Sequence, residues 1–106
     1  MFVAINRLVA KAGQGHRVEE QFTKSAGVES SPGFHSFELL KQTWGPSPDG
    51  EEYLVFTRWE SRDAFDSWVR SDAFKQAHAG GRPDFLTGQG HPAGYEVALR
   101  REPAEG

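Results

Sequence analysis

The stretch Gly45-Pro46-Ser47-Pro48-Asp49-Gly50 constrains the fold more than any other part of the chain. Proline fixes φ, and Asp-Gly suits a hairpin reversal, so the chain must turn back on itself here. On either side lies a run with strand-like composition, FHSFELLKQTW before the turn and EEYLVFTRWE after it. In the first run, period-two geometry puts Phe34, Ser36, Glu38 and Leu40 on one side, with His35, Phe37, Leu39 and Lys41 on the other. The two runs are expected to pair antiparallel.

Outward from the hairpin the pattern alternates between periods. FVAINRLVA, at residues 2–10, reads as a strand with Phe2, Ala4, Asn6, Leu8 and Ala10 on one face. Asn6 sits on an otherwise apolar face, where an amide is costly unless its hydrogen bonds are met. It is therefore either satisfied by backbone or reserved for a ligand. Val18, Phe22 and Ala26 recur at helical spacing in HRVEEQFTKSAG, and Gly27 is placed to end that helix. Glu29 to Gly33 is a turn cluster.

After the hairpin, Ser61 reads as a helix N-cap with Asp63 in the first turn. Phe65 with Val69, Ala64 with Trp68, and Phe74 with His78 are each four apart. Ser71-Asp72 supplies a second N-cap in the middle, which predicts two short helices or one kinked helix. Residues 80–94, rich in Gly and Pro, read as a long loop, a kind that is often functional. GYEVALRRE at 94–102 reads as the last strand, and Pro103 to Gly106 as a tail.

The order is β-α-β-β-α-β, the ferredoxin-like arrangement of the α+β class, with an antiparallel sheet carrying both helices on one face. The other face has no cover within the chain. Pairing two such faces would bury them, so a homodimer, a dimeric α+β barrel, is the expectation.

A chain of 106 residues has room for one domain, taken as residues 1–106 with its core at about 2–101. Only 37% of residues are hydrophobic, but 12% are aromatic, enough for a small core that a second subunit could complete. A net charge of −3 argues against a nucleic-acid partner. The absence of Cys excludes a disulfide framework, a zinc ribbon, a thiolate-ligated haem and a cysteine nucleophile. No apolar run approaches the roughly 18 residues of a membrane span, and the N-terminus lacks the layout of a secretory signal, so the expected location is the cytoplasm.

Among the four histidines, His16, His35 and His91 fall at a helix start, at a strand start and in the Gly/Pro loop. His78 differs, because it lies one helical turn after Phe74 and directly before Ala79-Gly80-Gly81. A helix that opens into glycine gives a flat ligand room to approach the imidazole. A closed zinc site needs three or four convergent ligands. Haem iron needs one strong protein ligand, because the macrocycle supplies four nitrogens. A single histidine in an aromatic setting therefore suits haem better than a bare metal. The glycines at 13 and 15, and at 88 and 90, do not lie between a parallel strand and its helix, so they form no nucleotide motif.

Asn6, the SPGF turn at Ser31 to Phe34, WES-x-x-AF-x-x-W from Trp59 to Trp68, and F-x-x-AH from Phe74 to His78 together resemble the IsdG-type haem-degrading monooxygenases. These belong to the antibiotic biosynthesis monooxygenase superfamily of dimeric ferredoxin-like proteins. The SPGF and WES-x-x-AF parts are shared widely there and indicate the fold; the combination of Asn, Trp and His is the specific part. The resemblance implies that His78 is the proximal ligand of the haem iron. It places Asn6 on the distal side as a hydrogen-bond donor, and Trp68 against the porphyrin, holding it out of plane. The implied reaction opens the tetrapyrrole at a meso carbon with dioxygen and electrons from a reductase or ascorbate, and haem is both cofactor and substrate. Phe22, Phe65 and Phe74 are candidates for the apolar lining, and Arg82 for a propionate contact, although a solvated loop arginine is an equal reading. The alternatives are a cofactor-independent monooxygenase of an aromatic or quinol substrate, a haem-binding protein without turnover, and a small dimeric ligand-binding module.

Overall fold

A computed structural model of the chain describes residues 1–24, 27–46, 50–88 and 90–104. The elements are β1 (Phe2–Ala10), α1 (Gly15–Gln21), β2 (Phe34–Lys41), β3 (Glu51–Trp59), α2 (Arg62–Val69), α3 (Asp72–Ala77) and β4 (His91–Glu96), with one turn of 3-10 helix at Val28–Ser30. The strands form a single sheet in the order β2-β3-β1-β4, and every pairing is antiparallel. This is the expected ferredoxin-like α+β fold, with the second helical region divided in two at Ser71.

Both serine caps are made as their positions suggested. Ser61 accepts from the backbone N–H of Ala64 at 3.2 Å, and Ser71 accepts from that of Phe74 at 3.1 Å. Phe2, Ala4 and Ala10 face the helices. Phe2 and Ala4 pack with Trp59, Val28 and the α2 residue Trp68, whereas Ala10 packs with Val18 of α1, Tyr53 and Phe85. The core on this face is thus two clusters, one at each end of β1.

Four expectations need correction. The first helix is shorter than its apolar spacing suggested: it ends at Gln21, with Phe22 as its C-cap. Thr23 bonds the Glu20 carbonyl through Oγ1 at 2.7 Å, a local alternative to continuing the helix ladder. Ala26 lies outside the described residues, as do Ser47, Pro48 and Asp49 of the hairpin turn. Gly27, with φ of 89°, leads into the 3-10 turn that buries Val28.

Strand β2 does not keep strict alternation. Phe34 opposes Trp59 and Ser36 opposes Arg58, so His35 is the extra residue of a bulge. The bulge places Phe34 on the helix face together with Phe37 and Leu39, the opposite of what period-two geometry implied.

The last strand begins at His91 and ends at Glu96, rather than spanning 94–102. β1 explains the limit, because Glu96 opposes Phe2 and the Val97 N–H bonds the Met1 carbonyl, after which β1 has no residues left to pair. Pro92 is tolerated because β4 is an edge strand.

Residues 80–88 are also less of a free loop than their composition suggested. Phe85 is buried, Lys11 N–H bonds its carbonyl at 2.8 Å, Leu86 bridges Ala10, and Thr87 N–H bonds the Val9 carbonyl at 2.7 Å.

Candidate active site

His78 is the C-cap of α3, and its ring is held from two directions. Nδ1 lies 2.8 Å from the Phe74 carbonyl. A carbonyl can only accept, so Nδ1 carries the proton and, in the neutral imidazole, the lone pair resides on Nε2. The ring also stacks on Phe74, with centroids 4.0 Å apart and planes at 23°. Fixing one nitrogen through a carbonyl so that the other is presented is how proteins orient an imidazole ligand for a metal. His78 is exposed, and the Gly80 and Gly81 that follow it have open space around them.

Behind Phe74 comes Trp68, edge-on to it at 5.8 Å and 88°. Trp68 is 9% exposed and part of the core, so Phe74 stands between it and His78. Phe65, half-buried, packs against Phe2 at 5.5 Å and Trp59 at 5.7 Å. The Trp59 indole N–H donates to Thr57 Oγ1 at 2.9 Å, which satisfies that buried donor.

Asn6 stands at the centre of β1 between the two core clusters. With Leu8 and Val55 it belongs to neither cluster and is half-buried, on the sheet face whose two clusters hold Val18 of α1 at one end and Trp68 of α2 at the other. Its Oδ1 is buried and has no hydrogen-bond partner among the described residues. A buried amide oxygen left unpaired costs about 1–3 kcal/mol, so it marks a position held for something other than stability. Phe22 lies on the far side, in the other cluster, with its ring 5.8 Å from Phe37. Arg82 is exposed and makes no ion pair among the described residues.

The structure therefore joins Trp68, Phe74 and His78 by direct contact. It links them to Asn6 through Ala4, which packs in the same cluster as Trp68 and lies one same-face step along β1. Phe22 is set opposite them, and Arg82 is left in solvent.

Sequence reasoning missed the polar contacts at the α1 end of this face. Tyr53, 1% exposed, donates its hydroxyl to Glu19 at 2.7 Å, and Glu51 accepts the Gly15 N–H at 2.9 Å. Burial, then the Glu19 bond and the nearby Glu19 and Glu51 charges, push the Tyr53 phenol well above its ordinary range. A Cβ on Gly15 would lie 2.7 Å from Glu51 Oε1 and 2.9 Å from the Tyr53 hydroxyl, so any larger residue there would have to displace these two groups. The only signal in the sequence was Gly15 itself, directly before a helical pattern.

Among the described residues no three His, Asp or Glu side chains are grouped to hold a metal ion, and no helix is long and apolar enough to cross a membrane.

Residues 1–80 match the antibiotic biosynthesis monooxygenase family, and the chain belongs to it. It is 40% identical over 78 residues to a heme oxygenase (staphylobilin-producing) of Staphylococcus haemolyticus, a match covering 74% of this chain and 73% of that one. It is 31% identical over 105 residues to a heme-degrading monooxygenase of Shouchella clausii, covering 97% and 95% of the two chains. Among solved structures it resembles the heme-degrader MhuD from Mycobacterium tuberculosis with two hemes bound in its active site. That likeness has a TM-score of 0.72 at 38% identity and covers 96% of this chain and all of the other (100%).

Proposed function

We propose that this protein is a haem-degrading monooxygenase that binds haem on the helix-bearing face of the sheet, between α1 and α2–α3. The observation that carries the reading is the His78 imidazole, locked by the Phe74 carbonyl so that Nε2 is the presented nitrogen. Relatives named as heme-degrading, at 31% and 40% identity, support it. The residues fit the group: one oriented imidazole, an apolar floor, and an amide whose buried oxygen has no partner among the described residues.

Bound haem supplies the redox-active iron and is itself the molecule consumed, with dioxygen and an external electron donor as co-reactants. Each residue's task is positional. His78 ligates through Nε2. Asn6 would offer its amide to the bound group as a hydrogen-bonding partner. Phe74, backed by Trp68, would supply an apolar contact for the macrocycle, with Phe65 supporting that wall and Phe22 on the opposite one. Arg82, exposed just beyond Gly81, is placed to pair with a propionate. A second copy of the chain covers the other sheet face, where Val3 and Val9 are buried but Leu40 and Tyr95 remain 40% and 47% exposed. Electrons come from a reductase or from ascorbate.

The test is to titrate haemin into the purified protein, follow the Soret band, and then add ascorbate in air. The band should appear at one-to-one stoichiometry or above and bleach after reductant. No band removes the haem reading, and a band that survives reductant leaves only binding. His78→Ala should weaken haemin binding by at least about tenfold, since even groups that merely support a metal ligand cost that much when removed. Its urea midpoint should not move, because the side chain is exposed. Undiminished affinity would place the iron ligand elsewhere.

A further inference from the structure

The edge of β1 is paired in two separate pieces. Its last residues pair with Phe85 to Thr87, and Phe2–Arg7 pair with His91–Glu96. Between the pieces the chain carries Gly88 and Gly90, and among the described residues the β1 position without a partner on this edge is Leu8, one same-face step beyond Asn6, which pairs with Pro92.

The two glycines are there for different reasons. Gly88 has φ of 59° and nothing within 4 Å of a virtual Cβ, so it serves the backbone turn. Gly90 has no positive φ and any residue could adopt its backbone. A Cβ on it, however, would lie 2.7 Å from Asn6 Oδ1, 3.1 Å from Nδ2 and 3.3 Å from Cγ. All three nearest atoms belong to the Asn6 amide, so a methyl at position 90 would have to displace that amide. The pattern recurs two steps along, where a Cβ on Gly94 would meet the Phe2 ring at 2.5 Å. Side chains of β1 thus lean over an edge left bare for them.

We infer that Gly90 is a positioning residue for Asn6: its bare backbone walls in Oδ1 and fixes the amide in the one orientation that leaves Nδ2 toward the helix-bearing face. The inference rests on the haem reading only for its catalytic consequence; the geometry concerns the chain alone. Asn6 Oδ1 is buried with no hydrogen-bond partner among the described residues, and it is the amide atom nearest to where a Cβ on Gly90 would lie. A break in a strand ladder that aims a side chain is a common use of such irregularities beside active sites.

The test compares Gly90→Ala with Gly88→Ala and Asn6→Ala. In the protein without haem, the Asn6 side-chain amide resonances should move in Gly90→Ala and stay in place in Gly88→Ala. With haemin, Gly90→Ala should keep the Soret band and lose roughly 10–100-fold in ring-opening rate, the scale of a displaced catalytic group. The double variant Asn6→Ala/Gly90→Ala should be no slower than Asn6→Ala alone, because the methyl then has nothing to displace. An unmoved amide resonance, or fully additive rate losses, overturns the inference. If wild type shows no Soret band, the haem reading fails while the resonance test still decides the positioning role. Should Gly90→Ala not fold, contacts between Gly90 Hα and the Asn6 amide protons in the wild-type nuclear Overhauser spectrum decide it, and their absence overturns it.

Discussion

At the Trp59 end of the sheet, the side chains between sheet and helices are rings: Phe34, Trp59, Phe65, Phe2, Trp68 and Phe74 meet at tilted or edge-on angles and lead outward to His78. At the Tyr53 end a smaller apolar cluster of Ala10, Val18, Tyr53 and Phe85 is joined by polar contacts, with Glu19 on Tyr53 and Glu51 on Gly15. Both ends anchor a helix to the same strands, by different means. Rings interlock through area and shape, which makes them costly to trim and stiff enough to hold a ligand histidine. The other end holds α1 by the fully buried Val18 together with single hydrogen bonds, each worth about 0.5–1.5 kcal/mol net. One end is thus held by interlocked rings and the other by a smaller apolar cluster with added hydrogen bonds, and Asn6 lies between them.

The sharpest way to break this contrast is Trp59→Ala. The side chain is fully buried, and its removal should cost about 3–5 kcal/mol in urea unfolding, since Thr57 also loses its donor. A loss no larger than that from the Tyr53 end would show the two ends to be equivalent. Glu51→Ala comes next and should cost about 1 kcal/mol, the value of a helix cap, with the amide protons of α1 exchanging faster while those of α2 do not change. Equal acceleration in both helices would mean that α1 is not separately held.

The smallest effect at neutral pH belongs to Tyr53→Phe, and it sharpens the comparison through pH. The folded phenol titrates above its unfolded value near 10, so its contribution is complete below about pH 10 and is lost as pH rises beyond it. Wild type should lose stability above pH 10, and Tyr53→Phe should show a flatter alkaline limb. Parallel curves would remove Tyr53 from the accounting.

Particular residues show how far the sequence could be read. Ser61 and Ser71 were recognisable as caps because their partners lie three residues away. His78 stood out for the same reason, with Phe74 four residues back. The bulge at His35 was not legible, because it is fixed by register against β3. Nor was the anchoring of Phe85, which depends on Lys11 and Ala10. Gly90 was noticed only as one of a pair of glycines; its reason is an amide on β1.

The sequence by itself determined the order of the elements, the antiparallel hairpin, the two caps of the second helical region and the placing of Asn6 on an apolar face. These follow from local spacing and turn chemistry, where the deciding partner is within a few residues. Only the tertiary structure decided that the core splits into two clusters, that α1 is capped from β3, and that Trp68 reaches His78 through Phe74. It also decided that the amide of Asn6 rests against a bare Gly90. Each of those depends on atoms brought together by sheet register, and register is set by the whole buried face and not by any one segment.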